Sequence, residues 1–439
     1  MQNGTFTLEL FALLEFWLCS SDKMISRIID DLINLYKDDY RPWVIGYSGG
    51  KDSTMLASLI FEAIEKIEES DRTKEVAVVC TDTRVEIPAV VCRVEEELNL
   101  MELYSSINRL NISTYLLKPP ADQSFWVNLL GRGYPPPNRT FRWCTQRLKI
   151  DPVSNFIKGN ISRWGEAIIH LGARRSESGS RAQTLGSRIT NYRGLRRHDD
   201  LARCWIYTPI EYVTTDEVWE YLLNEDRGLK STWGGDNKEL FNLYKDASGG
   251  ECPLVVDKNT PSCGNSRFGC WCCTVVERDR ASEGLLASGD KKMEALLLFR
   301  DTLIEYRDPE NGYRDMVRKN GQDGPGPLHI QARKDLLKKL LSVQNETGVN
   351  VISEEELHWI QTFWNSARCP DNGNGVASIV LEQNGATMPK VNDDSYLQKI
   401  EESVAVERDI SLDTLRRFIG KIEEYGESHR AVGLQDELL

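Results

Sequence analysis

Residues Gly46 to Thr54 read GYSGGKDST, between the apolar run Pro42 to Ile45 and the helix-like stretch Met55 to Ile67. Strand, glycine turn and helix in that order leave the chain few folds, because the strand must end where the helix begins. Gly49 and Gly50 let a ligand approach the backbone closely, Ser48 and Ser53 offer hydroxyls, and the first turn of the new helix presents N–H groups. Together they suit an anionic triphosphate. A Walker A loop is excluded, since that motif needs Gly-Lys-Ser/Thr in sequence and Lys51 is followed by Asp52. The motor and GTPase classes are excluded with it. An isolated glycine turn often only caps a helix; here the pattern stands in register with the elements that a phosphate cradle requires.

The rest of the chain supplies the same alternation. Ile25, Ile28, Ile29, Leu32, Leu35 and Tyr36 recur at helical spacing after Ser21, and Arg41-Pro42 stops that helix. Val76 to Cys80 is short and β-branched and runs into Thr81-Asp82-Thr83, as a buried parallel strand does where its end faces a ligand crevice. Ala89 to Leu98 predicts a helix, Ile168 to Leu171 a strand ending in GARRSESGSR, and Asp216 to Leu223 a helix capped by Thr214 or Thr215. Strands alternating with helices predict an α/β fold, a doubly wound parallel sheet. His170, inside a predicted strand, reads as a satisfied core group and not as a catalyst.

Lys230 to Asp279 is rich in Gly, Cys, Trp and Asn with little periodicity, which predicts a loop-rich insert organised by a metal centre. Lys291 to Leu341 returns to helical patterning, interrupted at Asp308 to Asn311 and at Gly321 to Pro327. Residues 370–395 read as a polar linker or mobile loop and Tyr396 to Leu439 as an acidic amphipathic helix pair. The expected organisation is a nucleotide domain over 1–229, a Cys-rich segment over 230–280 packed on it, and a mainly helical C-terminal region over 281–439.

At 439 residues the chain exceeds one typical core, and 40% hydrophobic content supports a folded chain. Phe6 to Cys19 is apolar but holds Glu9 and Glu15 and has no basic leader, so no signal peptide or membrane span is expected and a cytoplasmic protein is. The net charge of −13 alone would argue against a nucleic-acid partner, but it is unevenly spread. From Arg132 to Arg203 fifteen Lys or Arg face five acidic residues, an excess of +10 that attracts a polyanion, whereas beyond Gln344 eighteen Asp or Glu face eight Lys or Arg. Eleven cysteines in a reducing compartment point to metal ligands or reactive thiols rather than disulfides. Cys252, Cys263, Cys270, Cys272 and Cys273 crowd into one short stretch, with Cys270 and Cys273 at ligand-pair spacing.

These stretches resemble the PAPS-reductase-like branch of the PP-loop ATP pyrophosphatases, and within it the DndC/SspD-type ATP-dependent sulfurtransferases of bacterial DNA phosphorothioation. The shared stretches run from Arg41 into the cysteine segment: RPWVIGYSGGKDST, CTDTRVEIP from Cys80 to Pro88, RWCTQRLKI from Arg142 to Ile150, GARRSESGSR from Gly172 to Arg181, TPIEYVTTDEVWEYL from Thr208 to Leu222, and GGECPLVVDKNTPSCGNSRFGCWCCTVV from Gly249 to Val276. The last is the narrowest and carries the specific assignment.

The resemblance implies a PP-loop, adenine nucleotide alpha hydrolase-like domain that cleaves ATP between its α and β phosphates. Ser48, Gly49, Gly50, Asp52 and Ser53 would hold ATP phosphates with Mg2+, and the strand end Thr81, Asp82 and Thr83 would sit near the adenosine. Lys51, Asp52, Arg174 and Arg181 form the implied catalytic set, the arginines because guanidinium matches phosphate geometry. A 4Fe–4S cluster is implied on Cys144, Cys263, Cys270 and Cys273. Four cysteines equally suit zinc, Cys272 stands beside Cys273, and Cys252 is a further thiol, so those alternatives stay open. The implied reaction adenylates a DNA backbone phosphate with release of pyrophosphate and replaces a non-bridging oxygen with sulfur. Its implied partners are DNA, a cysteine desulfurase as sulfur donor, and other phosphorothioation-system proteins.

Two enzyme readings compete. A PAPS or adenylylsulfate reductase would use the same sheet, but the Glu-Cys-Gly-His-type segment of those enzymes has only Glu251-Cys252-Pro253 as a counterpart. RNA thiolation shares the loop. A platform that merely binds DNA is a third reading, against which the intact Ser48 to Ser53 loop argues.

Overall fold

The computed structural model describes residues 22–177, 193–199, 203–248, 268–365 and 375–383, with Gln183, Asn191 and Leu201. Helix α1 covers 22–38, and the apolar stripe from Ile25 to Tyr36 is buried as its spacing predicts. Strand β1 (Trp43–Gly46) and helix α2 (Lys51–Glu65) flank the glycine turn. Then follow β2 (Val76–Thr81), α3 (Pro88–Asn108), β3 (Ile112–Leu117), α4 (Asp151–Trp164) and β4 (Ala167–Leu171). Short strands β5 (Arg196–Arg197) and β6 (Cys204–Tyr207) complete one sheet of order β3-β2-β1-β4-β6-β5.

All strand pairs are parallel except β5 against β6, which run antiparallel. The expected doubly wound sheet is therefore mostly parallel, with a two-residue strand at its edge that leaves little open backbone. From β1 the chain winds outward through β2 to β3 and then returns to the other side of β1 at β4, where Gly46 stands level with Leu171. That reversal opens a crevice at the C-terminal ends of β1 and β4, the place where open α/β sheets bind ligands. The glycine turn follows β1 directly into it.

Alternate residues of each strand serve opposite faces. Val44, Ala77, Val79, Ala167 and Ile169 pack against Ile157 and Trp164 of α4 on one face. Trp43 meets Tyr36 of α1 on the other, with ring centroids 5.3 Å apart. The near-continuous apolar runs of β1, β2 and β4 follow from this double cover.

His170 lies in β4 with 0% exposure, its ring 4.2 Å from that of Trp43 and 5.6 Å from that of Tyr207. It is a core group as expected, but among the described residues neither ring nitrogen has a hydrogen-bond partner. Burial, with the Lys74 charge adding to it, pushes its pKa down from 6.5 to about 3. Between those two values the unfolded chain binds the extra proton, so the stability intact above pH 6.5 falls on acidification with a slope approaching about 1.4 kcal/mol per pH unit. Urea unfolding followed from neutral pH down to about pH 5 should show this slope, and His170→Met should flatten it; an equally steep dependence in the variant would contradict the assignment.

Beyond the sheet, helices α5 (Thr215–Leu222) and α6 (Asn237–Ala247) precede α7 (Arg280–Ala287), α8 (Lys292–Arg307), α9 (Ile330–Thr347), α10 (Glu354–Trp364) and α11 (Gly375–Gln383). Helix α5 begins at Thr214 in a capping box with Glu217, which settles the choice of cap. Helix α6 falls inside the stretch expected to be loop, and α11 inside the expected polar linker. The chain divides into two compact units, Met1–Ile379 and Val380–Leu439; the expected acidic helix pair and the apolar stretch Phe6 to Cys19 lie outside the described residues. Among the described residues no helix is long and apolar enough to cross a membrane.

The C-terminal helices are fixed to the sheet domain by buried donors. Trp364 Nε1 donates to the Leu130 carbonyl at 2.8 Å, Trp126 Nε1 to the Val351 carbonyl at 2.7 Å and Arg333 Nη1 to the Gly131 carbonyl at 2.7 Å. Their acceptors at 130 and 131 belong to a π-helical turn, Val127–Gly131, whose irregular bonding leaves carbonyls to be satisfied by side chains.

Candidate functional site

The turn is built so that only glycine fits at its centre. Gly49 has φ +71, and a Cβ there would lie 2.4 Å from Val94 Cγ2. Gly50 precedes α2 in extended backbone without a side-chain cap, so the helix N-terminus faces the crevice. Ser53 Oγ accepts from the Ser48 N–H at 3.2 Å and donates to the Gly50 carbonyl at 2.9 Å, while the two serine hydroxyls stand 3.1 Å apart. Both expected phosphate hydroxyls thus also knit the turn. At the end of β4 a Cβ on Gly172 would lie 2.8 Å from the Asp52 carbonyl oxygen, so this strand end closes directly on the first turn of α2.

Asp52 sits between two cations. Arg174 Nε donates to Asp52 Oδ1 at 2.7 Å, and Lys51 Nζ lies 3.4 Å from Asp52 Oδ2. Arg174 is 1% exposed, and its remaining donors go to Ser176 Oγ at 2.8 Å, the Val213 carbonyl at 3.1 Å and Thr215 Oγ1 at 3.3 Å. All three guanidinium nitrogens are thus engaged within the protein. Lys51 is 5% exposed, with its ammonium 4.9 Å from the Tyr244 ring centroid, and so is no simple surface charge. The Tyr244 hydroxyl accepts from the Lys51 N–H at 3.3 Å. Two cations and one carboxylate leave a positive excess at a helix N-terminus, the arrangement an anion seeks.

The loop carrying Arg174 is anchored from behind. Glu211 accepts from Arg175 Nε and from Arg196 Nη2, each at 2.6 Å. This ties the end of β4 to β5 and to the stretch after β6.

At the end of β2, Thr81 is partly exposed, Asp82 is 7% exposed and Thr83 is 0% exposed. Asp82 accepts from the Arg84 N–H at 2.7 Å and from Lys118 at 3.2 Å, holding a turn in which Arg84 has φ +65. Thr83 Oγ1 lies 3.5 Å from Cys270 Sγ. Glu86 and Cys270 form an antiparallel bridge, and the Trp271 N–H donates to the Val85 carbonyl at 3.1 Å. The strand edge lining the crevice thus continues into contact with the cysteine segment.

Cys144 precedes the π-helical turn Thr145–Ile150 and is half-buried. Burial lifts its thiol pKa, with the Cys273 sulfur adding to the effect. The Cys270 thiol is pushed up to about 12 by burial, against the opposing pull of Lys149. Cys272, at 0% exposure, is raised by burial and then by Cys270, Cys273 and Cys144. Burial thus disfavours the thiolate at Cys144, Cys270 and Cys272, and a bound metal would supply the positive charge that ionises such thiols. Among the described residues no three His, Cys, Asp or Glu side chains converge as a metal site. The expected ligand Cys263 lies outside the described residues, as do Cys252 and Arg181.

Residues that sequence reasoning passed over hold this region together. Arg300 of α8, 3% exposed, donates to the carbonyls of Cys273 at 2.8 Å, Val276 at 2.6 Å and Glu277 at 3.0 Å. Arg307 reaches the Thr274 and Pro137 carbonyls. Lys149 lies 3.4 Å from Glu86 Oε1 beside Cys270. Tyr244 and Arg300 carry no motif, and nothing local to either residue signals its role.

A glycine-closed turn at the switch point of a doubly wound sheet, with its charges gathered at a helix N-terminus, defines a nucleotide-binding α/β protein with a PP-loop type of phosphate cradle. The chain belongs to the phosphoadenosine phosphosulfate reductase family: the model of that reductase domain matches residues 42–276, more than half of the 439. An uncharacterized protein of Methanocaldococcus jannaschii is 26% identical over 192 residues, covering 44% of this chain and 33% of that protein. The chain thus spans about a third of the length of this relative. Similar solved structures include a phosphoadenylyl-sulfate reductase from Candida auris in a phosphate complex, at 12% identity and TM-score 0.28, covering 47% of this chain and 85% of that one. A U34-tRNA thiolase from Methanococcus maripaludis with its 4Fe–4S cluster is 12% identical at TM-score 0.32, covering 65% and 82%. TM-scores of this size carry no weight for substrate or cofactor.

Proposed function

We propose that the chain is an ATP-dependent sulfurtransferase of DNA phosphorothioation. A non-bridging oxygen of a DNA backbone phosphate attacks the α-phosphorus of Mg-ATP. The bond from that phosphorus to the α,β-bridging oxygen breaks, pyrophosphate leaves with the electron pair, and adenylate remains on the DNA phosphate. Persulfide sulfur delivered by a cysteine desulfurase then attacks the DNA phosphorus and AMP departs with the displaced oxygen. A second thiol cleaves the S–S bond, releasing the phosphorothioate and ending as a disulfide. No strong general base is needed, because phosphate oxygens are already ionised, and charge neutralisation carries the catalysis.

In this reading the turn N–H groups with Ser48, Gly49, Gly50 and Ser53 cradle the phosphates, and Thr81 to Thr83 border the adenosine. Lys51 neutralises the leaving pyrophosphate. Asp52, both of whose oxygens are engaged by Lys51 and Arg174, sets the position of Lys51, and Arg174 is a positioning residue behind it. Arg181 is assigned to the acceptor phosphate. Cys144, Cys263, Cys270 and Cys273 would hold a 4Fe–4S cluster, which when bound would supply an iron–sulfur centre where incoming sulfur is handled.

The observation that carries the reading is the 3.5 Å approach of Thr83 Oγ1 to Cys270 Sγ, which sets one thiol beside the C-terminal end of β2, next to the crevice. Pyrophosphate release, measured with a desulfurase and cysteine present, should be stimulated by DNA and not by tRNA. Stimulation by tRNA instead would replace this reading with RNA thiolation, and reduction of PAPS or adenylylsulfate without ATP cleavage would replace it with a reductase.

A further inference from the structure

Just before Cys144 the chain makes a stiff, exposed turn. Asn138 Oδ1 accepts from the Thr140 N–H at 2.9 Å, the Thr140 hydroxyl at 2.9 Å and the Phe141 N–H at 2.7 Å. This holds Arg139, Phe141 and Arg142 out from the surface, with Phe141 44% exposed. A phenyl ring exposed between two arginines offers a flat face and two cations to a ligand that carries both rings and negative charge.

A second element lies alongside. Residues 314–328 fold back on themselves through the Arg314–Leu328 and Val317–Asp323 bridges. The base is pinned where the Leu328 N–H donates to the Gly133 carbonyl at 2.8 Å. Near its tip, Lys319 places its ammonium 4.3 Å from the Tyr134 ring centroid, and the Tyr134 ring is 6.4 Å from Phe141 and 5.6 Å from Trp143. Asp315 and Asp323 offset part of the positive charge of this segment, and Arg139 pairs with Glu277 at 3.5 Å. That pair is open to water on both sides and holds Arg139 only weakly.

We propose that the Asn138 turn and the 314–328 hairpin form the seat of an unpaired DNA strand, an assignment that rests on the DNA reading above and adds the surface and the strand form. Phe141 stacks a base, which must be unpaired to offer its face, while Arg139, Arg142 and Lys319 meet the flanking phosphates. The register of the turn explains the placement: Trp143 and Cys144 follow it directly, so a strand seated here brings a backbone phosphate toward the thiols.

Fluorescence anisotropy with a labelled single-stranded deoxyoligonucleotide tests this on the full chain. Phe141→Ala should weaken binding at least about fivefold, the loss of one base stack, and affinity for duplex of the same sequence should be lower and insensitive to the change. The triple variant R139Q/R142Q/K319Q should reduce the slope of log K against log salt by about 2. ATP binding should be unchanged in both variants, since none of these residues belongs to the phosphate cradle. Wild-type affinity and slope in both variants would overturn the seat, and so would tighter binding of single-stranded RNA than of DNA. In either case the DNA dependence of pyrophosphate release judges the underlying reading separately.

Discussion

Replacing Asp52 with Ala should lower pyrophosphate release at least about a hundredfold, the scale set by removing one preorganised electrostatic group. It also destabilises the fold, because Arg174, 1% exposed, keeps its charge without its carboxylate partner. Removing one member of such a pair costs about 3–5 kcal/mol. The two effects separate in the double variant Asp52→Ala with Arg174→Met, which deletes the stranded charge along with its partner. That variant should recover much of the lost Tm while pyrophosphate release stays at the level of Asp52→Ala, since Lys51 still lacks the carboxylate that sets its position. Turnover retained in Asp52→Ala, or restored with Tm in the double variant, would reject the role of Asp52 in placing the cation.

Protein purified without oxygen should carry about four irons and four sulfides per chain. Cys144→Ser, Cys270→Ser and Cys273→Ser should each lose most of that iron. Cys272→Ser should keep it, because Cys272 is not assigned as a ligand. ATP binding should survive all four changes, as the turn is closed by its own serines and by Val94 and Tyr244. One zinc per chain and no iron would remove the cluster while sparing the nucleotide site. Loss of iron in Cys272→Ser with retention in Cys273→Ser would exchange their roles.

What the sequence made legible is what local pattern encodes. The turn around Gly49, the stripe of α1, the apolar runs of β1, β2 and β4 and the Thr214 cap all depend on residues within one or two turns of each other. Strand β3 escaped because it is an outer strand of the sheet whose ISTYLL pattern is only half-buried, without the solid apolar run of its neighbours. Helix α4 escaped because it continues from a π-helical turn, with no polar cap to mark its start. Edge strand β5 is two arginines, a composition that spells no strand.

The site shows the same division. Ser48 to Ser53 could be read directly, but the burial of Arg174 depends on Val213 and Thr215, about forty positions downstream, which receive its donors. The partnership of Lys51 with Tyr244 spans 193 positions and that of Thr83 with Cys270 spans 187. Sequence supplied the chemistry of these groups; only the fold supplied their company.

The most direct measurement is the identity of the nucleotide products when the protein turns over ATP with DNA, a desulfurase and cysteine. AMP and pyrophosphate, formed in step with sulfur entering the DNA backbone, are the products the proposed mechanism predicts. ADP and inorganic phosphate would contradict it.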